Sequence, residues 1–239
     1  MPARDDLIFV PAGTLLRGTP SEEIDRVVAR HADLALPRGY FAKETPRTAV
    51  EVPAFWIGRV PITVADDEEH GRDVGATPVP GPADVPVVVS YERALGFCAW
   101  LSERWDAPVG IPTETQWERA ARGDDDREYP WGDEFDPTRA NLAEAGVGAM
   151  TPVGSFPTGA SPFGILDLAG NADEWTSTPY APYPGADAEV PAVEEWATDP
   201  HVTRGGSYFH GRDLARCARR HALYPPLDTA GFRIVVPAD

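Results

Sequence analysis

Glycine and proline make up about a fifth of this chain of 239 residues, with 22 glycines and 26 prolines. Both are spread along the sequence, so they do not describe a linker, and they limit the length of regular helices and strands. Seven tryptophans and nine phenylalanines supply large apolar side chains that can anchor irregular backbone. With no internal repeat and no clear linker, the sequence predicts a single turn-rich domain over residues 1–239.

The chain is strongly acidic: 21 Lys and Arg against 38 Asp and Glu give a net charge of −17. Because phosphates would be repelled, we expect no nucleic-acid partner. The longest apolar runs fall well short of the roughly 20 residues that span a bilayer, so no membrane partner is expected. The first residues also lack the apolar stretch of a signal peptide, which predicts a cytoplasmic protein of undetermined oligomeric state.

Two cysteines, Cys98 and Cys217, exclude a disulfide scaffold and an all-cysteine zinc site.

Capping signals and apolar periodicity predict three helices. The first follows a capping box at 19–22, the second follows Ser90, and the third runs from Thr113 to a C-cap at Gly123. Strands are expected at residues 7–10, 50–57 and 232–236. Residues 66–86, 124–160 and 176–200 are expected to be loops, and loops of this length need a function or a local organiser such as a metal ion.

Several segments, in order, resemble the formylglycine-generating enzyme (sulfatase-modifying factor) family. They are residues 8–14, 55–63, 86–100, 111–123, 129–133, 151–156, the Gly-Asn-Ala-Asp-Glu-Trp segment 170–175, the Arg-Gly-Gly-Ser segment 204–207, and 231–233. The match covers nearly the whole chain. It implies one α+β domain related to C-type lectins, with little regular secondary structure and bound Ca²⁺.

This family contains copper-dependent protein-cysteine oxidases, domains of iron-dependent sulfoxide synthases, ligand-binding variable proteins and immunity-type proteins, so the fold does not fix the function. In the oxidases, two cysteines shortly after Arg-Gly-Gly-Ser bind copper(I) and the substrate thiol, since soft thiolates suit that ion. Here His210 stands near the first position, and no sulfur stands near the second. Cys98 and Cys217 are expected to be small buried residues. The resemblance therefore predicts a degenerate oxidase site.

The resemblance also implies two calcium sites. The first would use the side chains of Asp167 and Glu174 with the carbonyls of Gly170 and Ala172. The second would use Asn141 and the Leu142 carbonyl, with Glu144 replacing ligands from a segment that is shortened here. The alternative is that these acidic residues form solvated turns.

The histidines and arginines leave further alternatives open. Iron or copper held by His201, His210 and His221 would make the chain an oxygen-dependent oxidase, although no local metal-ligand pair is present. The alternative to metal binding is that these histidines are exposed to solvent or make ordinary hydrogen bonds. His31 is expected to pack on the core, and His70 to lie in a charged loop.

Residues 204–233 carry six arginines against two aspartates, a balance of 6 − 2 = +4. Four of the arginines are expected to pair with internal carboxylates: Arg204, Arg216, Arg220 and Arg233.

The leading hypothesis is a calcium-stabilised recognition domain that binds a small molecule, a peptide or a partner protein. Its cleft would be lined by Trp175, Tyr208, Phe209, His210, Arg212 and Arg219, with Tyr224 as a further apolar wall. The rivals are a metallo-oxidase with histidine ligands and an immunity-type protein that binds a partner.

Overall fold

A computed structural model describes residues 1–186, 190, 201–222 and 229–238. The described strands are β1 (Leu7–Val10), β2 (Gly13–Arg17), β3 (Thr48–Val52), β4 (Phe55–Gly58), β5 (Glu174–Pro179), β6 (His201–Arg204) and β7 (Val235–Pro237). The α-helices are α1 (Ile24–Arg30), α2 (Arg38–Ala42), α3 (Val64–Val74), α4 (Tyr91–Trp105) and α5 (Glu114–Arg122). The predicted α+β class, with short elements joined by irregular backbone, is confirmed.

Within the described residues the strands form small antiparallel sheets. Their orders are β1-β4-β7, β2-β3 and β5-β6. In the last of these, Glu174 pairs with Arg204 and Trp175 with Thr203. This hairpin brings segments 170–175 and 204–207, which are distant in sequence, to the same end of a two-stranded sheet.

Two apolar clusters form most of the core. The larger surrounds α4 and includes Val87, Phe97, Leu101, Trp175 and Phe232. The second lies between α5 and the strands at its side, and includes Val10, Leu15, Ile57, Trp117 and Cys217. Burial of these large side chains supplies the stability that short strands and helices cannot supply by themselves.

The two later helices begin where the sequence predicts. The Ser90 hydroxyl accepts the Arg93 backbone N–H at 3.4 Å at the start of α4. Thr113 and Gln116 form a reciprocal capping box at the start of α5, and the helix ends at Gly123 with a φ of +75°. α4 is the longest described helix at 15 residues, and none in the described part is long and apolar enough to cross a membrane.

The first helix differs from the prediction at its N-terminus. Instead of a cap at Thr19, residues Ser21–Glu23 form a 3₁₀ turn that leads into α1 at Ile24. The Thr19 side chain is directed instead at the buried Glu44 carboxylate, to which its hydroxyl donates at 2.7 Å, and this turn has no side-chain cap among the described residues. At the end of α1, His31 is buried, with Nδ1 3.0 Å from the Val27 carbonyl oxygen, which confirms its predicted packing.

The expectation of a loop over residues 66–86 is wrong for its first half. Thr63 and Asp66 form a capping box, and α3 continues to Val74. The expectation for His70 is also wrong, because its ring is buried against Phe97 and Trp100, with ring centroids 5.5 and 5.3 Å away.

Strand boundaries differ from the sequence prediction as well. The run at 50–57 is divided between β3 and β4 on either side of Pro53, because proline has no N–H for a ladder. β7 begins at Val235 rather than at 232, and β2 was not predicted. The expected loop at 176–200 begins instead with the second half of β5, and most of its remainder lies outside the described residues.

Candidate functional site

The turn at residues 170–173 positions the central carboxylate of the site. Gly170 and Asn171 both have positive φ, +75° and +67°. The Asn171 backbone N–H donates to the Asn141 carbonyl oxygen at 2.7 Å, which fixes the turn against the loop at 141. Asp173 follows directly, and β5 begins at the next residue.

Two histidines converge on Asp173. His221 Nε2 lies 2.8 Å from Asp173 Oδ1, and His210 Nδ1 lies 3.1 Å from Asp173 Oδ2. Backbone hydrogen bonds between Thr203 and the His221 backbone place His221 beside β6. His210 is placed by a tight turn in which its backbone N–H donates to the Ser207 carbonyl at 2.8 Å.

The electrostatics of this cluster divide the two histidines. Burial lowers the pKa of His221, and the adjacent Asp173 charge does not reverse that effect. Burial also disfavours charge on His210, but the hydrogen bond to Asp173 together with the negative charges of Asp173 and Asp213 outweighs it and raises the pKa of His210. Burial opposes ionisation of Asp173 too, yet the neighbouring His221 and His210 hold its pKa well below the usual range. The surroundings thus favour charge on Asp173 and His210 and disfavour it on His221.

This arrangement is not that of a hydrolytic triad. The Ser207 hydroxyl oxygen lies 3.0 Å from His210 Nδ1, the same ring nitrogen that approaches Asp173. In a triad the serine and the carboxylate meet opposite nitrogens of the imidazole, so that a proton can pass through the ring. Ser207 and Asp173 therefore hold His210 in place and do not make Ser207 a nucleophile.

A cavity of about 190 Å³ opens beside this cluster. We call it the Asp173 cavity; it is lined by Val88, Met150, Asn171, Ala172, Asp173, Ser207, Tyr208, Phe209, Thr229 and Ala230. Its walls combine a buried carboxylate with apolar surface, and Phe209, 50% exposed, stands at its edge. Cavities of this composition bind small groups through apolar contact with a few polar contacts that fix orientation.

The structure places some of the predicted cleft residues elsewhere. Tyr208 and Phe209 line the Asp173 cavity, and His210 holds two of its lining residues. Trp175 does not line it, because its ring is fully buried and its indole N–H donates to the Val89 carbonyl at 2.9 Å. Tyr224 lies outside the described residues.

Both predicted cleft arginines also point away from this cavity. Arg212 Nη2 donates to Asp33 at 2.5 Å, and the Arg212 backbone N–H donates to Glu144 at 2.9 Å. Arg219 is buried beside Asp213, with 3.5 Å between Arg219 Nε and the carboxylate. The Asp173 cavity is therefore lined by neither of the arginines predicted for the cleft.

Three histidine ligands for a redox metal are not brought together. His201 stacks on Tyr91, with ring centroids 3.6 Å apart, and pairs with Pro179 at the far end of the β5–β6 hairpin from Arg204. His210 and His221 each use one ring nitrogen on Asp173. Among the residues described, no group of three or more His, Cys, Asp or Glu side chains is arranged to hold a metal ion. The residues present do not fit the iron or copper site considered above.

The oxygen donors of the first predicted calcium site fit that ion better. Asp167 is buried, its carboxylate accepts the Gly154 N–H at 2.6 Å, and burial raises the pKa of Asp167. Glu174 accepts the Trp117 indole N–H at 2.9 Å and two N–H groups of Arg233. Because a carboxylate has about four lone-pair positions, one on Glu174 stays available. Hard oxygen donors of this kind suit Ca²⁺.

Only part of the second predicted calcium site has an available oxygen. The Asn141 side-chain NH₂ donates to the Ala149 carbonyl and to Asn171 Oδ1, at 2.9 and 3.0 Å, which fixes the orientation of its amide. The Asn141 side-chain oxygen is buried with no hydrogen-bond partner in the described part of the chain. Glu144 accepts the Arg212 backbone N–H at 2.9 Å and lies 3.7 Å from its guanidinium, and its role as a replacement ligand stays a prediction.

The cysteines do not form a thiolate pair. Cys98 packs in the cluster around α4 and Cys217 in the cluster beside α5, and both are buried. Burial raises the pKa of each thiol to about 12. A thiol with that pKa is protonated at neutral pH and is a poor ligand for copper(I). The prediction of two small buried residues is confirmed.

The four arginines expected to be structural pair with buried carboxylates. Arg204 and Arg220 share Glu114, Arg216 pairs with Glu44, and Arg233 pairs with Glu174. Asp173 is not among the predicted site residues, although it lies inside the 170–175 motif. Its role depends on His210 and His221, which reach it through the β5–β6 pairing and the 207–210 turn.

Comparisons with known proteins agree with this architecture. The sequence matches the family described as sulfatase-modifying factor enzyme 1-like domain over residues 2–238. Hercynine oxygenase from Mycobacterium tuberculosis is 34% identical over 230 residues, which cover 76% of this chain and 52% of that protein. The inactive C-alpha-formylglycine-generating enzyme 2 from Bos taurus is 40% identical over 169 residues, which cover 63% and 50%. The chain spans about half the length of these curated relatives.

Solved structures show the same fold. PvdO from Pseudomonas aeruginosa superposes with a TM-score of 0.76 at 24% identity, covering 97% of this chain and 94% of that one. Treponema denticola variable protein 1 superposes with a TM-score of 0.72 at 18% identity, covering 97% and 95%. At these identities the likeness concerns the fold alone.

Proposed function

Because this chain belongs to the sulfatase-modifying factor family, we propose that it is a recognition domain of that fold without copper-oxidase chemistry. The single observation that carries the proposal is the Asp173 cavity, which is lined by residues 207–209, at and just after the Arg-Gly-Gly-Ser segment that the copper cysteines follow in the oxidases. Here that region holds a carboxylate bridged by two histidines and an apolar wall. Its lining offers contact surface and contains no cysteine, so it lacks the thiolate pair that the copper oxidases use.

The size and charge of the cavity indicate what it binds. A volume of about 190 Å³ accommodates one side chain rather than a whole cofactor. Most of its lining side chains are apolar or aromatic, and the Asp173 carboxylate is already engaged by His210 and His221. We therefore assign to it an apolar side chain of a peptide or partner protein, with Phe209 packing against the neighbouring part of that ligand.

The relatives support this proposal in different degrees. One protein that matches this chain at 40% identity is named an inactive formylglycine-generating enzyme, so a member of the family without that activity is known. Hercynine oxygenase is named for an activity, but only half of that protein aligns with this chain. An oxygenase role would need metal ligands that the described histidines do not provide.

Calcium is the proposed organiser of the loops around the cavity. Asp167, Glu174 and the carbonyls of Gly170 and Ala172 would hold it, and its charge would stabilise the buried Asp167 carboxylate. Ala172 lines the cavity, so an ion at this position would stiffen the wall that meets the ligand. The Asn141 oxygen is the one donor of a second site for which the structure offers support.

Small probes of the side chain can test the cavity directly. We expect N-acetyl-leucinamide, followed by NMR of the labelled chain, to shift the amide resonances of Ala172 and Tyr208 saturably, with Kd on the order of millimolar. Met150→Trp should fill the cavity and weaken binding at least tenfold. The α-amide of N-acetyl-glutamic acid keeps its side-chain carboxylate and would place it beside Asp173. It should therefore bind more weakly than the leucine probe.

Val147→Trp is the matched control, because Val147 is 47% exposed on the same loop and does not line the cavity. It should leave probe binding unchanged. Equal binding by Met150→Trp and the unmodified chain would contradict the proposal, as would the absence of a saturable shift with the leucine probe or tighter binding of the glutamate probe.

A further inference from the structure

A second cavity, of about 320 Å³, lies where the N-terminal segment, the end of α5 and the 216–218 segment meet. It shares no lining residue with the Asp173 cavity. Five arginines line it against three carboxylates; they are Arg30, Arg47, Arg122, Arg127 and Arg216. In a chain with a net charge of −17, such a concentration of guanidinium groups is unusual.

Arg122 is a buried arginine in this lining, and one donor of its guanidinium makes no hydrogen bond within the part of the chain that the structure describes. It is 3% exposed, and its nearest carboxylate oxygens are Glu118 Oε1 at 3.4 Å and Asp126 Oδ1 at 3.8 Å. Neither contact is a hydrogen bond, and its Nε–H is buried with no acceptor among the described residues. Buried charged donors almost always have an acceptor, because leaving one unpaired is strongly unfavourable.

The neighbouring carboxylates are already engaged. Glu118 accepts the Gly18 backbone N–H at 2.8 Å with one oxygen and Arg204 at 2.9 Å with the other. Glu114 is shared between Arg204 and Arg220. Two buried carboxylates thus face three guanidinium groups, and the contacts of Arg122 to Glu118 and Asp126, at 3.4 and 3.8 Å, are longer than those of its neighbours. Asp126, 55% exposed, lies closer to Arg47, at 3.0 Å, than to Arg122.

Arg216 repeats the pattern on the opposite wall. Its two terminal nitrogens bind Glu44, each at 2.8 Å. Its Nε–H is buried without a hydrogen bond, and the nearest carboxylate oxygen, on Glu128, is 3.8 Å away. Arg47, at 25% exposure, lies at the edge of the same cavity and binds Asp126 at 3.0 Å.

We propose that this cavity binds a phosphate group, with Arg122 as the principal donor and Arg47 and Arg216 as supporting donors. The planar fork of a guanidinium matches two oxygens of a tetrahedral oxyanion, and several forks can surround one such group. Because the cavity is larger than inorganic phosphate needs, the natural ligand is a phosphorylated small molecule whose organic part fills the rest. This site does not depend on the function proposed for the Asp173 cavity.

Calorimetric titration of the full chain with inorganic phosphate tests the site, at constant ionic strength set with sodium chloride. We expect saturable binding of phosphate. Arg122→Met should weaken that binding at least tenfold, as expected for loss of charge-assisted hydrogen bonds. Arg47→Met should weaken it several-fold while leaving the fold intact, because Arg47 lies at the rim.

Arg139→Met is the matched control: this arginine is paired with Asp136 on a different surface, and its variant should bind phosphate normally. Phosphate heats that do not saturate, or an affinity that Arg47→Met leaves unchanged, would overturn the assignment. The second criterion holds even if Arg122→Met fails to fold.

Discussion

Glu114→Ala is expected to lower the free energy of unfolding by about 3–5 kcal/mol, the range for removing one partner from a buried ion pair. Glu114 is 1% exposed. Its carboxylate binds Arg204 at 2.8 Å and Arg220 at 2.6 and 3.1 Å. Alanine would leave two buried guanidinium groups to share Glu118 and backbone carbonyls. Chemical denaturation measures the loss.

The ion pairs of Glu114 with Arg204 and Arg220 also make the stability of the fold depend on pH. Burial opposes ionisation of Glu114, but Arg204 and Arg220 outweigh it, so the pKa of Glu114 lies below its ordinary 4.5. Its contribution is therefore present above about pH 4.5 and is lost as the pH falls through the lower value of the folded state. The difference in the free energy of unfolding between the unmodified chain and Glu114→Ala should therefore decrease as the pH is lowered.

Glu103→Ala is the control, since Glu103 is exposed on α4. It should change stability by less than about 0.5 kcal/mol. If Glu114→Ala costs no more than this control, the buried network does not stabilise the fold.

Gly170→Ala is expected to cost about 3–4 kcal/mol, from strain at positive φ and from overpacking. Gly170 has a φ of +75°, and a Cβ there would fall well inside contact distance of the Asn141 carbonyl oxygen. That oxygen also receives the Asn171 N–H that fixes the turn before Asp173. Besides destabilising the chain, the substitution should displace Asp173 and weaken binding of N-acetyl-leucinamide.

Gly148→Ala separates the two contributions. Gly148 also has a φ of +75°, but a Cβ there meets no heavy atom within 4 Å. It should cost only about 1–2 kcal/mol, the strain alone. Equal losses for both variants would show that close approach of residues 141 and 170 is not required.

Local signals were readable where one short segment decides the structure. α5 was predicted because Thr113 and Gln116 cap it and Gly123 ends it, all within ten residues of one another. α3 was missed because two of its buried positions are Asp67 and His70. Polar residues on the inner face remove the apolar periodicity by which an amphipathic helix is recognised.

The site could be read from the sequence only in part. Residues of the 204–207 and 170–175 motifs line the Asp173 cavity, and the missing cysteines were visible directly in the sequence. Asp173 could not be identified, because its partners approach through strand pairing and a turn that residue spacing does not reveal. Trp175 was misplaced because its ring packs in the apolar cluster around α4, a contact that residue spacing does not reveal. Arg122 resembled an ordinary cation in the last turn of a helix.

The metal content of the chain separates a recognition domain from a copper oxidase. The protein would be loaded anaerobically with Ca²⁺ and copper(I), desalted, analysed for both elements, and then incubated in air with a sulfatase-type cysteine peptide. We expect calcium that Asp167→Ala removes, no retained copper, and an unchanged peptide. Stoichiometric copper, or conversion of the peptide cysteine to an aldehyde, would contradict the assignment of this site to recognition.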